Sequence, residues 1–185
     1  MINRNVITQN YHFILVSCDS PKEREGMSEL WHVLIEYCHI QPVEVFDLAI
    51  RGLFIIAINE NSGEIVLKLK EIKEKEIFEF KICKKFTPLE RIIESSLDLL
   101  LEIIPEYLNK IPEKASWRIT LNRRHSKLSR TKIIETIANL PNAPKGKVDL
   151  EKPEWEVIIE LFGKWIGVAV YPEKSIVRLN EESIK

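Results

Sequence analysis

Glycine is scarce in this 185-residue chain, with six residues scattered along it, and neither GxGxxG nor GxxxxGK[ST] occurs. The backbone loops that cradle nucleotide phosphates are therefore missing, which disfavours an enzyme carrying its own nucleotide or methyl donor. There is no GxSxG elbow, and nothing singles out one of the three cysteines, Cys18, Cys38 and Cys83, as a nucleophile. Those cysteines lie far apart without CxxC or paired spacing, which argues against a disulfide framework or zinc site and fits a reducing, cytoplasmic setting. His32, Cys38 and His39 have spacings unlike those of metal ligands and read as core and helix-edge residues. Long apolar runs are lacking too: LDLLLEIIP and LFIIAIN fall well short of the ~18 residues of a spanning helix, so no membrane segment is expected. The opening MINRNVITQNYHFILV has no small-residue cleavage site and reads as mature protein. Gln is nearly absent while Ile, Lys and Glu abound, a composition compatible with a thermophile. Without a convergent constellation of reactive groups, the chain is expected to be an accessory protein rather than an enzyme, with no cofactor and no metal.

What is present is a hydrophobic content of 45%, enough for a real core, and an uneven charge distribution beneath a net charge of −1. Residues 1–83 hold 9 basic and 13 acidic side chains, whereas residues 84–185 hold 18 and 15. From Lys110 to Lys147 there are 10 basic residues against only Glu113 and Glu135. Such a single-signed stretch is the electrostatic footprint of a surface that meets phosphate.

The first half reads as a small α+β unit. YHFILVSC at 11–18 is strand-like, and Ser20-Pro21 followed by Glu23 has the grammar of a helix cap, predicting a helix to about Tyr37. VEVFDLA at 43–49 and GLFIIAIN at 52–59 predict a hairpin turning at Arg51-Gly52. Helical spacing of Ile65, Leu69 and Ile72 predicts a helix over 63–76, and IFEFKIC at 77–83 returns to strand alternation. This β-α-β-β-α-β order is the ferredoxin-like pattern.

Lys84-Lys85-Phe86 predicts a linker, and Thr87-Pro88-Leu89-Glu90 a capped helix running from Pro88 towards Ile111 with a break before Pro105. After it come the strand SWRITL, a basic turn, the helix TKIIETIANL, a short strand KVDL and a final pair, WEVIIELF and IGVAVYP; alternating helices and strands predict a mixed sheet with helical cover. Ile119, Leu121 and Val148 are expected to hold that sheet. In RITLNRRHSKLSR, which spans Arg118 to Arg130, Arg123, Arg124, Lys127 and Arg130 crowd into one turn with His125, Ser126 and Ser129 and no acid among them. Arg and Lys neutralise phosphates, Arg bidentately, and Ser129 at a helix start leaves N–H groups facing an anion. Trp117, Trp155 and Trp165 could stack on bases, but on strands they read as core or interface residues.

The ordered series SWRITL, RRHSKLSR ahead of a helix, KVDLEKP, a strand and a closing GVAVYP resembles a THUMP domain over about residues 87–172. The resemblance implies a ferredoxin-like domain over residues 1–86 and a THUMP RNA-binding domain over 87–180. It further implies a non-catalytic tRNA-binding adaptor, most similar to the archaeal and eukaryotic proteins that present tRNA to a separate RNA cytidine acetyltransferase for N4-acetylcytidine formation. An adaptor for a separately encoded tRNA thiolase or methyltransferase is the alternative, with a stand-alone modifying enzyme behind it. The implied partners are the acceptor end of tRNA and a tRNA-modifying enzyme. The RNA-binding residues expected on this basis are Arg118, Arg123, Arg124, His125, Ser126, Lys127, Ser129, Arg130, Lys132, Lys145 and Lys147.

Overall fold

The computed structural model describes residues 11–42, 44–173 and 175–179. The first ten residues, which hold most of the stretch read as mature protein, and Val43 of the predicted hairpin lie outside them. The described residues form two compact units, 11–89 with 175–179, and Glu90–Glu173.

In the first unit β1 (His12–Cys18), α1 (Glu23–Glu36), β2 (Glu44–Ile50), β3 (Leu53–Ile58), α2 (Ser62–Glu74) and β4 (Cys83–Leu89) follow one another. The strands lie in the order β2-β3-β1-β4, each antiparallel to its neighbours, which is the ferredoxin-like arrangement. Leu30, Val33 and Leu34 of α1 and Ile65, Val66, Leu69 and Ile72 of α2 bury their apolar stripes with Phe54, Ile56 and Phe86 of the sheet. The β2–β3 turn requires Gly52: its φ is +70°, and a Cβ there would meet the Cys18 carbonyl oxygen at 2.9 Å.

Four local expectations fail here. The Ser20 cap does not form; Lys22 occupies the N-cap position without a side-chain bond, and the Glu23 carboxylate instead accepts the Gly52 N–H at 2.6 Å. The last strand starts six residues later than predicted, because Phe78 and Phe80 join an aromatic cluster with Tyr37 and Phe86. Glu29 then accepts the N–H groups of Lys81 at 2.6 Å and Cys83 at 2.8 Å, fixing the entry into β4. Lys84-Lys85-Phe86 is consequently strand rather than linker, with Phe86 fully buried, and Thr87-Pro88-Leu89 continues that strand instead of capping a helix.

The second unit comprises β5 (Arg91–Glu94), α3 (Leu97–Leu108), β6 (Trp117–Arg124), α4 (Arg130–Ala138), β7 (Trp155–Phe162) and β8 (Trp165–Pro172). Its sheet runs β5-β8-β7-β6, with β6 and β7 parallel and the other pairs antiparallel, the mixed sheet expected. Leu100, Ile104, Tyr107 and Leu108 of α3 and Ile133 and Ile137 of α4 pack in one core with Leu121, Val157, Ile159 and Val168. The long helix predicted from Pro88 is a strand followed by a shorter helix: Ile92 and Ile93 pair with β8, and Ser96 caps α3 by accepting the Leu99 N–H at 3.4 Å. Pro105 lies inside α3 without breaking it. Burial of that helix's apolar stripe outweighs the ~3 kcal/mol an interior proline costs. The chain then returns to the first unit through β9 (Val177–Arg178), which pairs with Lys85 and Phe86 on β4.

Candidate nucleic-acid interface

Strand alternation sorts β6 into two functions. Trp117 and Leu121 face the helices and are buried, with Ile119 half-buried beside them. On the opposite face the polar side chains meet acids on β7 in parallel register. Arg118 donates Nε–H to Glu156 Oε1 at 2.7 Å, pairs with it again through Nη2, and donates Nη1–H to the Leu150 carbonyl at 2.8 Å. Thr120 Oγ1 donates to the same Glu156 oxygen at 3.0 Å, and Asn122 Nδ2 donates to Glu160 at 2.7 Å. Glu156 is buried, so its charge is matched by Arg118 rather than by solvent. Arg118 is thus committed inside the unit.

Arg123, Arg124, His125, Lys127, Ser129, Arg130 and Lys132 are all exposed, and Ser126 is half-buried. His125 takes a left-handed backbone, φ 53°, where the chain leaves β6. Ser126 Oγ then accepts the Leu128 N–H at 3.3 Å, and Arg123 Nη1 reaches the Leu128 carbonyl at 3.4 Å. Ser129 caps α4 by accepting the Lys132 N–H at 3.4 Å, as its position in the sequence predicted. The first turn of α4 contains Arg130 and Lys132 and no acid. Cations there oppose the helix dipole, which favours negative charge at an N-terminus by about 0.3–1 kcal/mol per group. Ile133 and Ile137 hold the helix to the sheet and keep its start beside the end of β6.

Not all the expected cations join this cluster. Lys147 accepts the Trp117 N–H through its carbonyl at 3.0 Å, Asp149 donates its N–H to the Trp117 carbonyl at 3.0 Å, and the Trp117 indole donates to the Gly146 carbonyl at 3.2 Å. Lys145 and Lys147 therefore stand at the start of β6, about 23 Å along the strand from Arg124 at ~3.3 Å per residue. Each has an acid beside it, Glu113 at 3.2 Å from Lys145 and Asp149 at 3.5 Å from Lys147. Gly146 lets this segment pass against the backbone, since a Cβ there would fall 1.9 Å from the Ala115 carbonyl oxygen. The predicted KVDL strand reduces to a single bridge between Val148 and Trp117. Val148, expected in the core, is 53% exposed and Leu150 72% exposed. Asp149 folds the loop, accepting the N–H groups of Glu151 and Lys152 at 3.0 Å each, and these bonds hold its carboxyl below the usual range. Trp117 and Trp165 are buried and Trp155 packs against the core, in line with a structural role.

One cation at the basic edge was missed. Lys164 lies in the β7–β8 turn, exposed, where Gly163 donates its N–H to the Arg124 carbonyl at 2.9 Å. The signal was available in the Gly-Lys pair between two predicted strands, which brings that turn to the end of β7 and hence of its parallel neighbour β6.

Among the described residues no group of three or more His, Cys, Asp or Glu side chains is placed to hold a metal ion. Cys38 is buried in the first core, and His32 packs edge-on to Tyr37 at 5.9 Å between ring centroids. None of the helices of the described residues is long and apolar enough to cross a membrane.

An α/β unit with one mixed sheet, and with a cation-rich turn at the ends of its parallel strands, is therefore the class of site this chain presents. Residues 94–171, within the second unit, match the family model of the THUMP domain. No curated protein matches the sequence. Its structure is similar to that of PH1313 from Pyrococcus horikoshii Ot3, with TM-score 0.61 and 16% identity over 90% of this chain and 55% of that one. It is similar also to TrmN from Thermus thermophilus, with TM-score 0.54 and 12% identity over 86% of this chain and 45% of that one. A third similar structure is a 4-thiouridine synthetase–RNA complex with bound ATP, with TM-score 0.51 and 14% identity over 91% of this chain and 42% of that one. At these identities the likeness shows the fold. The chain spans about half the length of these proteins.

Proposed function

We propose that this chain is a non-catalytic, cytoplasmic adaptor that binds the acceptor end of tRNA through the end of β6 and the start of α4, and presents it to a separate RNA cytidine acetyltransferase for N4-acetylcytidine formation. The observation that carries the proposal is the run Arg123–Lys132, whose five cations are exposed, with no acid in the run itself, and which enters a helix N-terminus where a cation is intrinsically disfavoured. An RNA backbone resolves that conflict. Arg123, Arg124 and Arg130 offer bidentate donors to phosphate and Lys127 and Lys132 offer point charges. In the first turn of α4 Ser129 takes the Lys132 N–H, while the N–H groups of Arg130 and Thr131 lack intrahelical acceptors and add further donors for the same anion. Contacts of this kind position RNA without reading its bases, which suits a module that holds many tRNAs alike. Arg118 is held by Glu156 inside the second unit, and Lys145 and Lys147, each beside an acid, stand apart from this surface at the start of β6.

A second reading keeps the same surface and changes the partner to a separately encoded thiolase or methyltransferase. It is favoured by the likeness to a 4-thiouridine synthetase and to TrmN. Incubation of tRNA and acetyl-coenzyme A with the chain alone, with an RNA acetyltransferase alone and with both, followed by nucleoside analysis, separates the possibilities. Acetylcytidine that appears or rises steeply only with both proteins supports the adaptor. Acetylcytidine from the chain alone overturns it, and no stimulation by the chain turns the assignment to the second reading.

A further inference from the structure

We propose that Lys164 is an additional tRNA phosphate contact, and that the positive path over the second unit runs from the first turn of α4 across the end of β6 to the β7–β8 turn and stops there. This extension rests on the RNA-binding reading given above. The β7–β8 turn is held on both sides: Gly163 donates to the Arg124 carbonyl at 2.9 Å, and the Lys164 carbonyl accepts the Ser95 N–H at 2.9 Å. A turn clamped in this way presents its side chain from a fixed base. The Lys164 ammonium lies 5.2 Å from the centroid of the buried Trp165 ring, which restrains the flexible stem while leaving the residue exposed. Since β6 and β8 flank β7, Arg124 and the start of β8 stand two strand spacings apart, about 10 Å. Lys164 therefore continues the row of cations along the same sheet edge instead of forming a separate patch.

The row ends at Lys164 because the next positions along the edge are acidic. Glu94 pairs in register with Trp165 at the end of β5, and Asp98 stands in the first turn of α3; both are exposed. The start of α3 thus carries the negative charge that a helix N-terminus favours, whereas the start of α4 carries cations. A polyanion is drawn to one helix start and repelled from the other, and Lys164 marks the border.

The test is fluorescence anisotropy of labelled tRNA at several salt concentrations with the full chain and with Lys164→Gln, Lys164→Arg and Lys147→Gln, each checked by thermal melting. Loss of one phosphate contact lowers the steepness of log affinity against log salt by about 0.7–0.9 and weakens binding about fivefold at 0.15 M salt. That is the result expected for Lys164→Gln, with Lys164→Arg restoring both quantities, Lys147→Gln changing neither, and all melting temperatures preserved. An unchanged slope and affinity for Lys164→Gln overturn the extension, provided that the combined Arg123→Ala, Arg124→Ala, Lys127→Ala and Arg130→Ala variant loses binding. If that combined variant binds as tightly as the native chain, the RNA-binding reading of the edge fails instead. An equal effect of Lys147→Gln shows phosphate contacts at the start of β6 as well and overturns the confinement of the path to the other end of that strand.

Discussion

At the scale of single residues, the second unit shows how register sets the surroundings of one chemical type. Arg118 and Arg124 sit on the same strand, yet Arg118 faces the buried Glu156 and is consumed by it. The strand alternation that puts Leu121 in the core was legible, because an apolar residue every second position has one reading on a half-buried strand. The fate of Arg118 was not, since it depends on a parallel neighbour nearly forty positions away. Replacing Leu121, which is 3% exposed, with Ala should cost about 2–5 kcal/mol, read as a lowered denaturation midpoint, and leave the tRNA affinity of the folded fraction unchanged. The thiols make a second residue-scale prediction. Burial pushes the Cys38 thiol up to about 11 from an ordinary value of 9.0. Its contribution to stability is complete below pH ~9, where both states keep the proton, and is lost as pH rises towards the folded value because the unfolded chain ionises first. Melts between pH 8 and 11 should fall less steeply for Cys38→Ala than for the native chain, and iodoacetamide at pH 8 should not label Cys38 without unfolding.

At the scale of elements, the sequence showed the types more clearly than the borders. The β-α-β-β-α-β order of the first unit could be read because each amphipathic period repeats within its own segment. The entry into β4 could not, because it is set by the Glu29 carboxylate and by packing of Phe78 against Tyr37, partners remote in sequence. Thr87-Pro88-Leu89-Glu90 carries a helix-cap pattern, but Thr87 and Leu89 are buried on a strand, so tertiary packing overrode a local signal. In the functional region the Ser129 cap and the helix after it were legible, whereas the separation of Lys145 and Lys147 from the turn followed only from β6 lying between them. The combined Arg123→Ala, Arg124→Ala, Lys127→Ala and Arg130→Ala variant tests this element directly. Each side chain is exposed, and such substitutions change stability by about 0.5 kcal/mol or less. Removing Arg130 from the N-terminal turn of α4 should slightly offset any loss. Calorimetry should find the melting temperature nearly unchanged while gel-shift affinity for tRNA falls steeply; unfolding of the variant would show the turn to be structural.

At the scale of the whole molecule, a net charge of −1 gives no attraction to a polyanion, so the proposed binding rests on the local field of one edge. Affinity should therefore depend steeply on salt despite the acidic balance of the first half. The most direct measurement is the tRNA dissociation constant of the full chain across a series of salt concentrations. If Arg123, Arg124, Lys127, Arg130, Lys132 and Lys164 each displace counterions from the backbone, the slope of log affinity against log salt should be about −4 to −5. A slope near zero would contradict the account, because an interface built from these cations cannot be indifferent to salt.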